Sequence, residues 1–100
     1  MIPEFKIFKS RDNADKIQLL QDKYPIDHTS LTRVVFDFGS FVIDSDEHPS
    51  LFAFEEDFVL FKLGSITTMA IGAYTGSFIA YSGPFLNGIN WGQIKLTVSN

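Results

Sequence analysis

DNADKIQLLQDKYP, residues 12–25, is the stretch whose reading decides the fold class. Asp12 is a helix-capping residue type, and Asp15 follows in the first turn, where a carboxylate suits the helix dipole. Ile17, Leu20 and Tyr24 recur at helical spacing, Lys23 falls in the last turn, and Pro25 ends the run. The pattern predicts one helix over roughly 12–23, with Gln18, Gln21 and Asp22 in water.

On either side the periodicity is that of strands. EFKIFK, residues 4–9, alternates: Phe5, Ile7 and Lys9 face one way, Lys6 and Phe8 the other. Further on, GSFVIDS (39–45) is echoed by GSFIAYS (76–82). With Gly39-Ser40 as the two-residue loop of a hairpin, glycine supplies the positive φ of a type II′ turn. Phe38 then faces Phe41, Phe36 faces Ile43 and Val34 faces Ser45, so the apolar residues share one side. The other side pairs Asp37 with Val42, Val35 with Asp44 and Arg33 with Asp46. The same rule at Gly76-Ser77 pairs Thr75 with Phe78, Tyr74 with Ile79 and Ala73 with Ala80. Both copies precede a proline (Pro49, Pro84) and then FKL (61–63) or IKL (94–96). The intervening lengths disagree, which favours shared turn chemistry over a duplicated unit.

LFAFEEDFVLFKL, residues 51–63, could be a helix with Leu51, Phe54, Phe58 and Phe61 in a stripe. That helix would leave Phe52, Val59 and Leu60 off the stripe and send three acids in different directions. Two strands joined at Glu55-Glu56-Asp57, with Asp57 taking a left-handed conformation, account for these residues better. A last strand is expected over 91–98. The expectation is an α+β domain: one N-terminal helix packed on the concave side of a curled antiparallel sheet or open barrel of about six to seven strands.

One hundred residues, 45% hydrophobic and 20% charged, make a single globular domain. The eleven phenylalanines suit a pleated, half-buried surface. The absence of cysteine excludes a disulfide framework and thiolate chemistry. The opening MIPEFKIFKSRDN has no apolar core of signal-peptide length, so a cytoplasmic protein is expected.

Charge is segregated along the chain. All twelve acids lie between Glu4 and Asp57, and the 32 residues of 63–94 carry no charge. That run is long enough for a membrane helix, but six glycines and a proline divide it into strand-length pieces. Buried strands, and no membrane partner, are the expectation.

Catalytic signals are thin. Asp27, His28 and Ser30 hold the letters of a nucleophilic triad, but neighbours on one short segment point apart, and no nucleophile elbow is present. His28 therefore reads as a loop histidine without a special role. No glycine-rich phosphate loop occurs. DSDEHPS (44–50) offers Asp44, Asp46, Glu47 and His48, yet Pro49 stands where a calcium loop needs glycine. Neither a metal nor a cofactor is expected, and eight scattered basic residues argue against nucleic acid.

Asp37, Asp44, Asp46, Glu47, Glu55, Glu56 and Asp57 fall within 21 residues that contain no Lys or Arg. Such a field attracts basic surfaces and speeds docking. The expected function is a non-enzymatic binding protein, most concretely a bacterial intracellular inhibitor or immunity protein that masks the basic cleft of a nuclease-type toxin. The alternative is a structural or assembly subunit of a phage or bacterial complex, oligomerising through residues 63–94. There Tyr74, Phe78, Tyr81, Phe85 and Trp91 are of the types enriched in interface cores.

Overall fold

The structure, a computed structural model, describes residues 2–66 and 70–100. Among these, ten strands form: β1 (Glu4–Phe8), β2 (Asp15–Ile17), β3 (Leu20–Gln21), β4 (Tyr24–Pro25), β5 (Leu31–Asp37), β6 (Val42–Asp44), β7 (Phe52–Phe54), β8 (Val59–Phe61), β9 (Gly72–Ser82) and β10 (Phe85–Ser99). Single 3-10 turns at His28–Ser30 and Pro49–Leu51 are the helical pieces.

The predicted helix over 12–23 does not exist, and the fold is almost all β rather than α+β. Ile17 and Leu19 are the buried residues of this stretch, two apart as on a strand, while Leu20 and Tyr24 are exposed. Asp22 and Lys23 both take positive φ (53° and 72°), which turns β3 into β4 as a tight hairpin. What overrides the helical spacing is a long-range pairing. β2 lies antiparallel to β8, with Ile17 opposite Val59 and Asp15 opposite Phe61.

Nor is there a curled antiparallel sheet or open barrel. Five strands in the order β1-β10-β9-β5-β6 form a mixed sheet, because β1 runs parallel to β10. A second sheet, β2-β8-β7, is antiparallel, and β3 and β4 pair with each other. The two larger sheets meet through their aromatic faces. Phe36 of β5 lies 5.1 Å from Phe78 of its own sheet, and 5.2 and 6.1 Å from Phe61 and Phe52 of the other. Phe5 of β1 meets Phe61 edge-on at 5.1 Å. Ile7, Val34, Ile43, Val59, Leu63, Ile94, Leu96 and Val98 complete this core. A phenylalanine buried there stabilises the fold by about 1.5–3 kcal/mol.

The first hairpin has the register its sequence implies. Phe36 faces Ile43, Val35 faces Asp44 and Asp37 faces Val42. Gly39 has φ 82°, and Ser40 N–H donates to Phe38 O at 3.0 Å, a three-residue turn nested within the loop. β7 and β8 also form as expected, with Glu55 N–H donating to Phe58 O across their turn; Asp57 is not among the positive-φ residues.

The second hairpin does not turn at Gly76-Ser77. β9 runs straight through both residues, and the chain reverses at Gly83-Pro84, setting Ser82 opposite Phe85. Gly76 is needed for close approach instead: a Cβ there would collide with the Asp37 carbonyl oxygen. The strand predicted over 91–98 consequently begins earlier, at Phe85.

Candidate functional site

The seven carboxylates predicted as a partner-binding surface divide into two groups. Asp37 and Asp44 serve the β5–β6 hairpin. Asp37 accepts from Gly39 N–H at 2.9 Å, fixing the turn. Asp44 is buried and accepts a two-pronged bond from the Arg33 guanidinium, with Nε at 2.9 Å from Oδ1 and the terminal nitrogen on Oδ2. The bond from Arg33 holds the Asp44 carboxyl below its ordinary range. The cross-strand partner of Arg33 is thus Asp44, with Asp46 secondary at 3.7 Å from Nε. Arg33 also lies over the Tyr81 ring, 4.7 Å from its centroid.

Asp46, Glu47, Glu55, Glu56 and Asp57 are exposed. They occupy two turns, one after β6 and one between β7 and β8. Each is tied to the segment 28–33: Asp46 through Arg33, and the β7–β8 turn through His28, whose N–H donates to Glu56 O at 3.1 Å. Those anchor residues are five apart, at most about 18 Å even for extended chain. The two acidic turns therefore flank one end of β5.

His28, read from sequence as a loop histidine without a role, is completely buried. Its Nε2 accepts from Leu19 N–H at 2.9 Å, so the ring proton sits on Nδ1, which faces Glu56 O at 3.2 Å. One imidazole joins the segment after β2, the 3-10 turn before β5 and the acidic β7–β8 turn. No local signal marks it, because its partners lie 9 and 28 positions away.

The supposed triad letters are occupied elsewhere. Asp27 accepts from the Thr29 hydroxyl and N–H, which holds its carboxyl below the ordinary range, and the Ser30 hydroxyl donates to Asp27 O. Among the described residues, no three His, Asp or Glu side chains converge as metal ligands. Asp15 is the other perturbed carboxylate. Its Oδ2 is buried without a hydrogen-bond partner, and burial raises its pKa.

The uncharged stretch 63–94, expected as buried strands, does form strands, but most of its described residues are exposed or half-buried; residues 67–69 of it lie outside the described ones. Phe78 is core, and Tyr74 packs against Phe41 and Phe38. Phe85 and Leu86, at the start of β10, are exposed. Among the described residues, no helix is long and apolar enough to cross a membrane. The chain matches no known family model, no curated protein and no solved structure.

Proposed function

We propose that this chain is a small, non-enzymatic binding protein that engages a basic protein partner through its two acidic turns. The observation behind this reading is the exposure of Asp46, Glu47, Glu55, Glu56 and Asp57 on turns anchored to one segment. Arg33, the one Lys or Arg of that segment, is already engaged by Asp44. Five exposed carboxylates, with Arg33 3.7 Å from Asp46 and Lys16 over the Phe58 ring as the nearby cations, leave a net negative field that steers a cationic surface into contact. Asp37 and Asp44 take part only through the field, because their oxygens serve the hairpin.

In its most concrete form the protein is a cytoplasmic inhibitor or immunity protein of bacterial type, placing its carboxylates where a nuclease-type toxin would hold phosphates. The test is binding to a panel of basic nuclease domains at low and high salt. The expected result is an on-rate that falls steeply with ionic strength. It should also fall at least about tenfold when the five exposed acids are changed to their amides. Association insensitive to both changes would overturn the reading.

A second reading, an assembly subunit of a phage or bacterial complex, rests on the exposure of Phe85 and Leu86 beside the β9–β10 turn. A closed oligomer in sedimentation, lost on Leu86→Ser, would favour it over the first.

A further inference from the structure

A cavity of about 460 Å³ lies between Gln21 of β3, the Ile26–Leu31 segment and the ends of β9 and β10 around their turn. Ile26, Leu31, Ala80, Phe85, Ile89 and Trp91 form its walls, and Gln21, Ser30 and Ser82 supply its polar groups. A second cavity of about 470 Å³ opens on the other side of Trp91, between Leu20, Phe78 and Ile94. Among the described residues, no charged side chain lines either cavity, in a chain that is 20% charged.

Trp91 stands between them for a definable reason. In the β9–β10 ladder Asn90 pairs with Ile79 and Gly92 with Phe78, leaving Trp91 as the extra, unpaired residue. A bulge of this kind re-aims a side chain, and Gly92 at φ 120° supplies the backbone conformation it needs. The opposite wall is a flap. β3 and β4 pair with each other alone, and the hairpin is tied at its base by Ile26 N–H donating to Leu19 O at 3.0 Å. Neither β3 nor β4 takes part in the ladder of either larger sheet.

We propose that the cavity beneath this flap binds a small uncharged molecule of two or three rings, apolar except for one hydroxyl or amide. An apolar cavity of about 150 Å³ accommodates benzene, so this one, about three times larger, takes a molecule of that size. The absence of charged lining residues selects a neutral ligand, since an ionised one would be desolvated without a counter-charge. The Gln21 amide and Ser82 hydroxyl, which bond no described residue, are placed to meet the ligand's one polar group. This inference does not depend on the acidic turns.

The test uses the whole chain and its single tryptophan, Trp91, as reporter. N-phenylnaphthylamine, neutral and apolar, should bind saturably at one site per chain and accept excitation energy from Trp91. Its anionic analogue, anilinonaphthalene sulfonate, should bind at least about tenfold more weakly. Ser82→Phe fills the cavity from a half-buried strand end and should weaken binding by at least a similar factor. Gln21→Phe obstructs it from the exposed flap and serves should the first variant fail to fold. Val42→Ser, exposed and outside the lining, should change nothing. Equal affinity for the sulfonate, or no saturable transfer, would overturn the proposal. So would loss of binding in Val42→Ser, which would mark adsorption to the surface, or displacement of the probe by self-association, which would make a second copy the occupant.

Discussion

Gly39-Ser40-Phe41 and Gly76-Ser77-Phe78 are the same three residues placed in opposite roles. At the first, glycine takes φ 82° in open space and lets the chain reverse. At the second, glycine sits inside an eleven-residue strand because the neighbouring backbone leaves no room for a Cβ. The two sites are also neighbours: Asp37, which fixes the first turn, pairs with Ser77 of the second copy, and Phe36 with Phe78. Identical letters thus answer different constraints, one conformational and one steric. What distinguishes them is the strand that lies alongside.

Substitution can break this contrast or sharpen it. The largest effect is expected at the two phenylalanines. Phe78 is 1% exposed, and Phe78→Ala should lower unfolding free energy by about 3–5 kcal/mol in denaturant titration. Phe41 is half-buried against Phe38 and Tyr74, so Phe41→Ala should cost about half as much. Equal losses would mean that the two copies bear equally on the core.

The glycines come next. Gly76→Ala forces a methyl group onto the Asp37 carbonyl, and a strand backbone cannot rotate away, so about 1–3 kcal/mol should be lost. Gly39→Ala meets no atom within 4 Å and carries only the cost of its positive φ, about 1 kcal/mol. In a domain of this length each 1 kcal/mol moves Tm by about 4–8 °C, so the two variants are distinguishable.

The smallest effect is one of pH. The Arg33 bond depresses the folded-state pKa of Asp44 below 3.8. Its contribution to stability is therefore complete above about pH 4 and declines as pH falls through the depressed value. Amide exchange should show residues 42–46 of the hairpin losing protection in acid while 77–80 of β9 keep theirs. Asp15 runs the other way. Burial raises its pKa above 3.8, so ionisation costs stability as pH rises from that value through the raised one. Asp15→Asn should remove this penalty, seen as a higher Tm at pH 7 and an unchanged one in strong acid.

The acidic turns and the Trp91 cavity differ in how legible they were. Asp46, Glu47, Glu55, Glu56 and Asp57 stand out by composition, and their exposure follows from charge together with their place on turns. That Asp44 is consumed by Arg33, and that His28 ties down the second acidic turn, depends on side chains converging from separate segments. The cavity was equally hidden. Tyr74, Phe78, Tyr81, Phe85 and Trp91 share a composition suited to an interface, but only the bulge separates Trp91 from the others, and a bulge is defined by its partner strand.

Local sequence determined the register of β5–β6 and the presence of the β7–β8 hairpin, because each pairs residues only a few positions apart, across a short turn; that Phe54 faces Val59 was not read from it. The identity of the 12–25 segment was decided elsewhere. Its spacing satisfies a helix as well as a strand, and the choice fell to β8, which offers Ile17 and Asp15 a backbone ladder 42 and 46 residues downstream. The pairing of β1 with β10, which joins the two ends of the chain, was likewise beyond local reading. Short-range pattern sets which residues must be buried; only the assembled sheets determine which neighbours bury them, since a strand's hydrogen bonds, unlike a helix's, are made with another part of the chain.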